Sequence, residues 1–241
     1  MTEITIIQPD PTVPIGRIAP WLEEIGATYT TVRLCREPVP AITDCGEGII
    51  ILGGAMDALN EEKAPWLPAL RTLLDDALTT HIPVIGICLG HQIIANCFGG
   101  TVTVAAPGQG QEGAAEVTLT SEGACDPLLG ALPTTFEVAE SHFDAVDVLP
   151  PQATLLATGE PCPVQAFRLG SIVGVQFHPE ATPELVEEWS KTNGTDSEAI
   201  VAKLRAVDKQ VEANGRALIA AFVEQVGANQ PKRACSVDAG V

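Results

Sequence analysis

Two short segments of this chain place reactive side chains where an apolar run ends. Gly86-Ile87-Cys88-Leu89-Gly90-His91-Gln92 follows the run Pro83 to Ile87 and leads into a helical pattern closed by Gly99-Gly100. A chain that turns sharply from a strand into a helix presents the turn residue at the carboxyl edge of the sheet, and small residues two positions to either side relieve the crowding. Cys88 is that residue here, at an exposed elbow. A thiol at a helix N-terminus meets unpaired N–H groups and the positive end of the dipole, which lower its pKa from about 8.5 toward about 3.5 to 7.5. The same N–H groups can receive an oxyanion. The second segment, Gly174-Val175-Gln176-Phe177-His178-Pro179-Glu180, places His178 and Glu180 two apart, on one side of an extended chain stiffened by Pro179. A nucleophilic thiol needs a base that takes and returns its proton, and the base needs a carboxylate to fix its tautomer. Alone, the first segment would suit a buried structural thiol and the second a surface turn; together they supply nucleophile, base and orienting acid.

The elements that must position them follow from the apolar pattern. Ile4 to Gln8, Thr28 to Leu34, Gly48 to Leu52 and Pro83 to Ile87 read as strands, the last two apolar at successive positions as strands covered on both faces should be. Between them Gly16 to Gly26 (Ile18, Leu22 and Ile25 on one face) and Pro65 to Thr79 (Leu67, Leu70, Leu73, Leu74 and Leu78) read as helices. This alternation predicts an α/β fold with an open, mostly parallel, flavodoxin-like central sheet and helices on both faces. From about Thr101 short strands dominate (Val102 to Val104, Glu116 to Leu119, Thr135 to Val138, Thr154 to Thr158, Pro163 to Leu169, Ile172 to Phe177), which predicts a mixed or antiparallel extension. Ser197 to Val226 carries an apolar stripe with Asn214-Gly215 in its middle and reads as one kinked helix or two short ones. No linker or internal repeat divides the chain, so residues 1–227 are expected to form one domain, with 228–241 a disordered tail.

Composition narrows the function classes. Thirteen Lys and Arg against 31 Asp and Glu give a net charge of −18, which repels a phosphate backbone or an anionic membrane, so neither nucleic acid nor a membrane is expected as a partner. Seven cysteines without a Cys-x-x-Cys pair read as reduced thiols, and no apolar run approaches the roughly 20 residues needed to span a bilayer, so a cytoplasmic location is expected. There is no zinc pattern, Walker A loop or dinucleotide fingerprint; no cofactor or metal is expected. His81, in a loop before Pro83, and His91, at the exposed start of a helix, read as structural.

The two segments, with Gly53-Gly54, Glu112-Gly113 and Ser141-His142-Phe143-Asp144, make the chain resemble the class I, triad-type glutamine amidotransferases from residue 4 to about 182, nearest to stand-alone homologues of the GMP synthetase glutaminase domain. The resemblance implies Cys88 as nucleophile, His178 as base, Glu180 as its orienting acid, the N–H groups of Gly54 and Leu89 as oxyanion hole, and Gln92, Ser141, His142, Phe143 and Asp144 as substrate contacts. It implies hydrolysis of a γ-carboxamide through a thioester, with a separate synthetase as a partner that accepts ammonia. Two positions depart from the family pattern: Ala55 stands where Gly-Gly-Pro is common, which leaves the loop freer, and Phe143 replaces a Gly beside the substrate's amino acid end. A partner-free hydrolase of γ-glutamyl amides or peptides needs the same groups, and a non-enzymatic regulatory member of the fold is the third reading. Cysteine-elbow intracellular peptidases of a related fold usually have His directly after the nucleophile, where this chain has Leu89.

Overall fold

The computed structural model describes residues 1–229. In chain order the elements are β1 (Glu3–Gln8), α1 (Ile18–Ile25), β2 (Thr28–Arg33), β3 (Gly48–Ile51), α2 (Leu67–Thr79), β4 (Val84–Ile87), α3 (Leu89–Cys97), β5 (Thr101–Thr103) and β6 (Gln111–Leu119). They continue with α4 (Ser121–Ala124), β7 (Thr135–His142), β8 (Ala145–Val148), β9 (Thr154–Gly159), β10 (Ala166–Leu169), β11 (Ile172–Val175), α5 (Pro183–Asn193) and α6 (Ser197–Ala228).

Nine strands form one sheet in the order β2-β1-β3-β4-β11-β10-β9-β6-β7, and β5 and β8 pair separately. The first five are mutually parallel; the remaining four continue the sheet antiparallel, which is the expected extension. Strands β3, β4 and β11 are buried at every residue, as their unbroken apolar runs require. On one face Ile4, Ile6, Ile50, Ile85 and Val173 pack under α1 and the C-terminal half of α6; on the other Ile7, Ile49, Ile51 and Val84 pack under α2 and α3. A third apolar group joins α5 and α6 to β7 through Val186, Trp189, Leu204, Val211 and Ala139.

Several expectations are corrected. The stripe of α1 is Ile18, Trp21 and Leu22, and Ile25 is exposed. Strands β6 and β7 are longer than their apolar cores because their ladder runs through polar residues as far as Gln111 and His142. Helix α6 is continuous across Asn214-Gly215 and includes Gly227 and Ala228, the latter expected in the tail; residues 230–241 lie outside the described residues. Its glycine is not a break but a close approach: a Cβ at Gly215 would come within 2.8 Å of the Pro179 carbonyl oxygen and 2.9 Å of the Trp21 ring. Asn214 donates its side-chain N–H to the Glu137 carbonyl, 3.0 Å, so both residues are spent on docking the helix.

Candidate active site

The turn between β4 and α3 holds Cys88 at φ +50°, ψ −102°, a conformation that non-glycine residues adopt only under constraint. The constraint is packing from both sides. A Cβ on Gly86 would meet the Gly90 backbone at 2.7 Å, and one on Gly90 would meet the Ile51 carbonyl oxygen at 2.6 Å, so the turn needs hydrogen at both positions. Cys88 N–H donates to the Val175 carbonyl at 2.9 Å, which ties the elbow to β11, the strand that delivers His178. The thiol is buried rather than exposed, 6% accessible on the floor of a cavity of about 320 Å³. Leu89, the first residue of α3, brings one of the helix's unpaired N–H groups to the same edge.

Beyond β11 the chain is held by His178 N–H on the Ala139 carbonyl, 2.8 Å, and by Arg17 N–H on the Glu180 carbonyl, 3.1 Å. His178 Nδ1 and Glu180 Oε1 are 2.7 Å apart and both side chains are buried. An ionised carboxylate only accepts, so Nδ1 carries the hydrogen and Nε2 faces away from Glu180. Among the described residues Nε2 makes no directed hydrogen bond. Burial alone would push the imidazole down, but the charge of Glu180 and then the neighbouring Cys88 thiol hold its pKa well above 6.5. Cys88 Sγ leans toward the Ser141 carbonyl at 3.9 Å. The Trp189 ring lies 4.9 Å from the His178 ring, tilted by 47°, and its Nε1–H is anchored on the Thr12 carbonyl at 3.0 Å.

Gly53-Gly54, after β3, lies beside the elbow, and Gly54 lines the cavity. A Cβ on Gly53 would lie 3.0 Å from His178 Cε1 and 3.6 Å from Cys88 Cβ, and one on Gly54 would meet Met56, Leu89 and Asp10. The segment Ser141 to Asp144 forms another wall of the cavity. Gln92 Nε2 donates to the Asp144 carbonyl, 3.0 Å, and to Gln176 Oε1, 3.2 Å, so its amide N–H groups brace that wall from the helix. His142 Nδ1 is 2.9 Å from the same carbonyl, and Asp144 Oδ1 accepts the Ala105 N–H at 2.8 Å. Phe143 is 45% exposed at the cavity.

Sequence reasoning missed three contributors. Asp10 and Thr12, in the loop after β1, line the cavity, and so do Glu188, Trp189, Thr192 and Asn193 of α5. The helix was legible: Thr182, whose hydroxyl accepts the Leu185 N–H, precedes Pro183 at the first turn. Glu140 lies beneath the wall, fully buried, and burial pushes its carboxyl up to about 8. Burial pushes the facing His142 imidazole down to about 4, so the two are neutral together at pH 7 rather than an ion pair, His142 Nε2 standing 3.6 Å from Glu140. Among the described residues no group of three or more His, Cys, Asp or Glu could hold a metal ion, and no helix is long and apolar enough to cross a membrane.

His91 is wholly buried, not at an exposed helix start; its ring packs against Phe167, centroids 4.9 Å apart, and against Gly174, where a Cβ would come within 2.7 Å of Nδ1. Burial drives its pKa from 6.5 to about 3. The unfolded chain therefore binds protons at His91 and His142 that the native state refuses, so their contribution is complete above pH 6.5 and lost as pH falls toward 4 and 3. Glu140 acts oppositely, its contribution shrinking as pH rises from 4.5 to about 8. The melting temperature is expected to drop between pH 6.5 and 4.5, and His91→Leu to flatten that acid limb; equal slopes for both proteins in thermal melts would contradict the role of His91.

Residues 17–189 match the family model "Glutamine amidotransferase class-I", well over half of the chain, and the chain belongs to that family. Membership supports a glutaminase-type enzyme. The chain is 33% identical over 177 residues to the glutamine amidotransferase-like protein YfeJ of Salmonella typhimurium, covering 71% of this chain and 73% of that one. It is 46% identical over 104 residues to the glutamine-hydrolyzing GMP synthase subunit of Thermococcus kodakarensis, 42% of this chain and 52% of the relative, so the match spans about half of that relative's length. Among solved structures, a glutamine amidotransferase from Thermotoga maritima superposes with a TM-score of 0.81 at 25% identity, covering 92% of this chain and 98% of the other. One from Methylobacillus flagellatus gives 0.81 at 27%, covering 96% and 97%.

Proposed function

We propose that this chain hydrolyses the γ-carboxamide of glutamine, or of a γ-glutamyl amide, through a thioester on Cys88. The observation that carries the reading is the buried His178–Glu180 contact of 2.7 Å beside a cysteine held at φ +50° on the floor of one cavity. In this reading His178 takes the proton of Cys88 as the sulfur attacks, the charge of the buried Glu180 supporting the imidazolium that forms. The sulfur attacks the carboxamide carbon, a C–S bond forms, and the carbonyl electron pair moves to oxygen, where the Gly54 and Leu89 N–H groups receive it. Collapse breaks the C–N bond as His178 passes its proton to the departing ammonia or amine. Water then loses a proton to His178 and its oxygen attacks the thioester carbon; a C–O bond forms, the C–S bond breaks, glutamate is released, and the sulfur returns to its starting state as His178 gives back the proton. Glu180 keeps Nε2 aimed at the reacting atoms throughout. Gln92 and the Ser141 to Asp144 wall are the groups proposed to meet the substrate's amino acid end.

The GMP synthase relatives favour a separate synthetase as acceptor of the ammonia. Phe143, half exposed at the cavity, favours the second reading, a γ-glutamyl amide hydrolase acting without a partner. Both readings place the active domain within residues 1–227 and the protein in the cytoplasm.

The test is glutamate release by the purified chain from glutamine and from a panel of γ-glutamyl amides, with intact-protein mass spectrometry of Cys88 after acid quench. Turnover of at least one compound with a γ-glutamyl adduct on Cys88 is expected. No release from any compound and no adduct would overturn the proposal.

A further inference from the structure

Strands β1 and β3 run parallel as neighbours, so the loops that leave their carboxyl ends rise from the same edge of the sheet. The first of these loops, Pro9-Asp10-Pro11-Thr12, carries a carboxylate that is 7% accessible and, among the described residues, has no cation within salt-bridge distance. Its charge is met by N–H and O–H groups. Asp10 Oδ1 accepts the Thr12 N–H at 2.8 Å and the Thr12 hydroxyl at 2.7 Å, and Oδ2 reaches across to accept the Ala55 N–H at 2.9 Å. The first two bonds fix the carboxylate in its own loop; the third fixes the neighbouring loop to it.

Ala55 follows Gly53-Gly54, the stretch that faces the Cys88 thiol and the His178 ring. Two glycines in succession sample a wide range of backbone angles, so the direction of the Gly54 N–H is poorly determined by the loop itself. A proline at position 55 would stiffen the loop but has no N–H to give. This chain has alanine there, and the N–H that alanine adds is the one Asp10 holds. Charge-assisted hydrogen bonds of this kind are roughly twice as strong as neutral ones.

We propose that Asp10 is a positioning residue for the oxyanion loop: by gripping the Ala55 N–H it fixes the Gly54–Ala55 peptide plane and so narrows the turning of the adjoining Gly54 N–H, keeping it toward the carbonyl oxygen of the substrate. The proposal rests on the thioester reading of Cys88 and adds to it a residue that acts through the Ala55 N–H. An oxyanion donor acts on the transition state more than on the bound ground state. Loss of the grip therefore falls on kcat.

Losing an oxyanion donor outright lowers kcat by about 100- to 1,000-fold in other hydrolases. A donor that is present but free to turn is worth part of this, so Asp10→Ala is expected to lower kcat about 10- to 100-fold with KM changed less than threefold. Asp10→Asn keeps one accepting oxygen and should fall between. The discriminating arm is a double-mutant cycle with Ala55→Pro, which deletes the gripped N–H. In the Ala55→Pro background Asp10→Ala should lower kcat less than threefold. A loss of equal size in both backgrounds, or a loss confined to KM, overturns the proposal.

A readout that needs no turnover separates failure of this proposal from failure of the thioester reading. Amide hydrogen exchange at Gly54 and Ala55 should accelerate at least tenfold in Asp10→Ala while the amides of β4 keep their protection. Unchanged exchange at both loop amides refutes the grip even in a protein that hydrolyses nothing.

Discussion

Cys88→Ala is expected to reduce glutamate release by at least about 10,000-fold while leaving the melting temperature within a few degrees of the parent. Removing one member of a nucleophile–base unit in other hydrolases lowers kcat by about a millionfold, because the covalent route disappears and only binding and the oxyanion hole remain. The fold has little to lose. The backbone strain at φ +50° is the same for alanine as for cysteine, the change removes one sulfur atom from the edge of the apolar group and keeps the Cβ, and the thiol's hydrogen bond is only the long approach to the Ser141 carbonyl at 3.9 Å. Kinetics and thermal melts on the same preparation check both halves. Most activity retained would sink the mechanism; activity lost together with the fold would instead make Cys88 a packing residue. His178→Ala should be nearly as severe, and Glu180→Gln milder, because it removes the group that orients the imidazole and not the proton carrier. A glutamine-shaped chloroketone should label Cys88 ahead of the exposed Cys35 and Cys125, since the cavity delivers the reagent to that sulfur. Label found chiefly on Cys35 would contradict this.

The parallel half of the sheet was legible because its signal is local. Gly48 to Leu52 and Pro83 to Ile87 are apolar at every step, and only a strand covered on both faces has use for that pattern. The elbow was legible for the same reason: its two glycines are demanded by contacts within a few residues or with the adjoining strand. What the sequence hid depends on distant partners. Asn214-Gly215 looks like a helix breaker until the Glu137 and Pro179 carbonyls are seen beneath it. His91 looks like a solvent-facing first-turn residue until Phe167, 76 positions away, is found against its ring. Asp10 could have been suspected from a carboxylate between two prolines just past a buried strand, but its partner at Ala55 is set by strand order, which no local pattern encodes.

Removal of everything after Thr192 is expected to abolish cooperative folding at ordinary temperatures or lower the melting temperature by tens of degrees. Helix α6 buries Val201, Leu204, Val211, Leu218, Ile219, Phe222, Val223 and Val226, while Lys203, Arg205, Lys209, Glu212 and Arg216 face solvent. Its first half covers β7 and α5, and its second half shares one apolar group with Ile4, Ile6 and Ile50 of the central sheet. At about 1.5 to 3 kcal/mol for each buried side chain, the stripe is comparable to or larger than a whole-domain stability of about 5 to 15 kcal/mol. Deletion also strands charge and backbone. Arg17 loses both 2.8 Å bonds to Asp208, and the Glu137 carbonyl loses its bond to Asn214. Because Arg17 N–H holds the Glu180 carbonyl, unpinning Arg17 also loosens the backbone that presents the acid to His178. Phe222→Ala offers a graded version, expected to destabilise by about 3 to 5 kcal/mol without removing the helix. Denaturant melts of the three proteins decide the matter. A truncated chain that melts where the full one does, with Phe222→Ala unchanged, would mean that α6 adds nothing to the core and that residues 1–227 are not one folding unit.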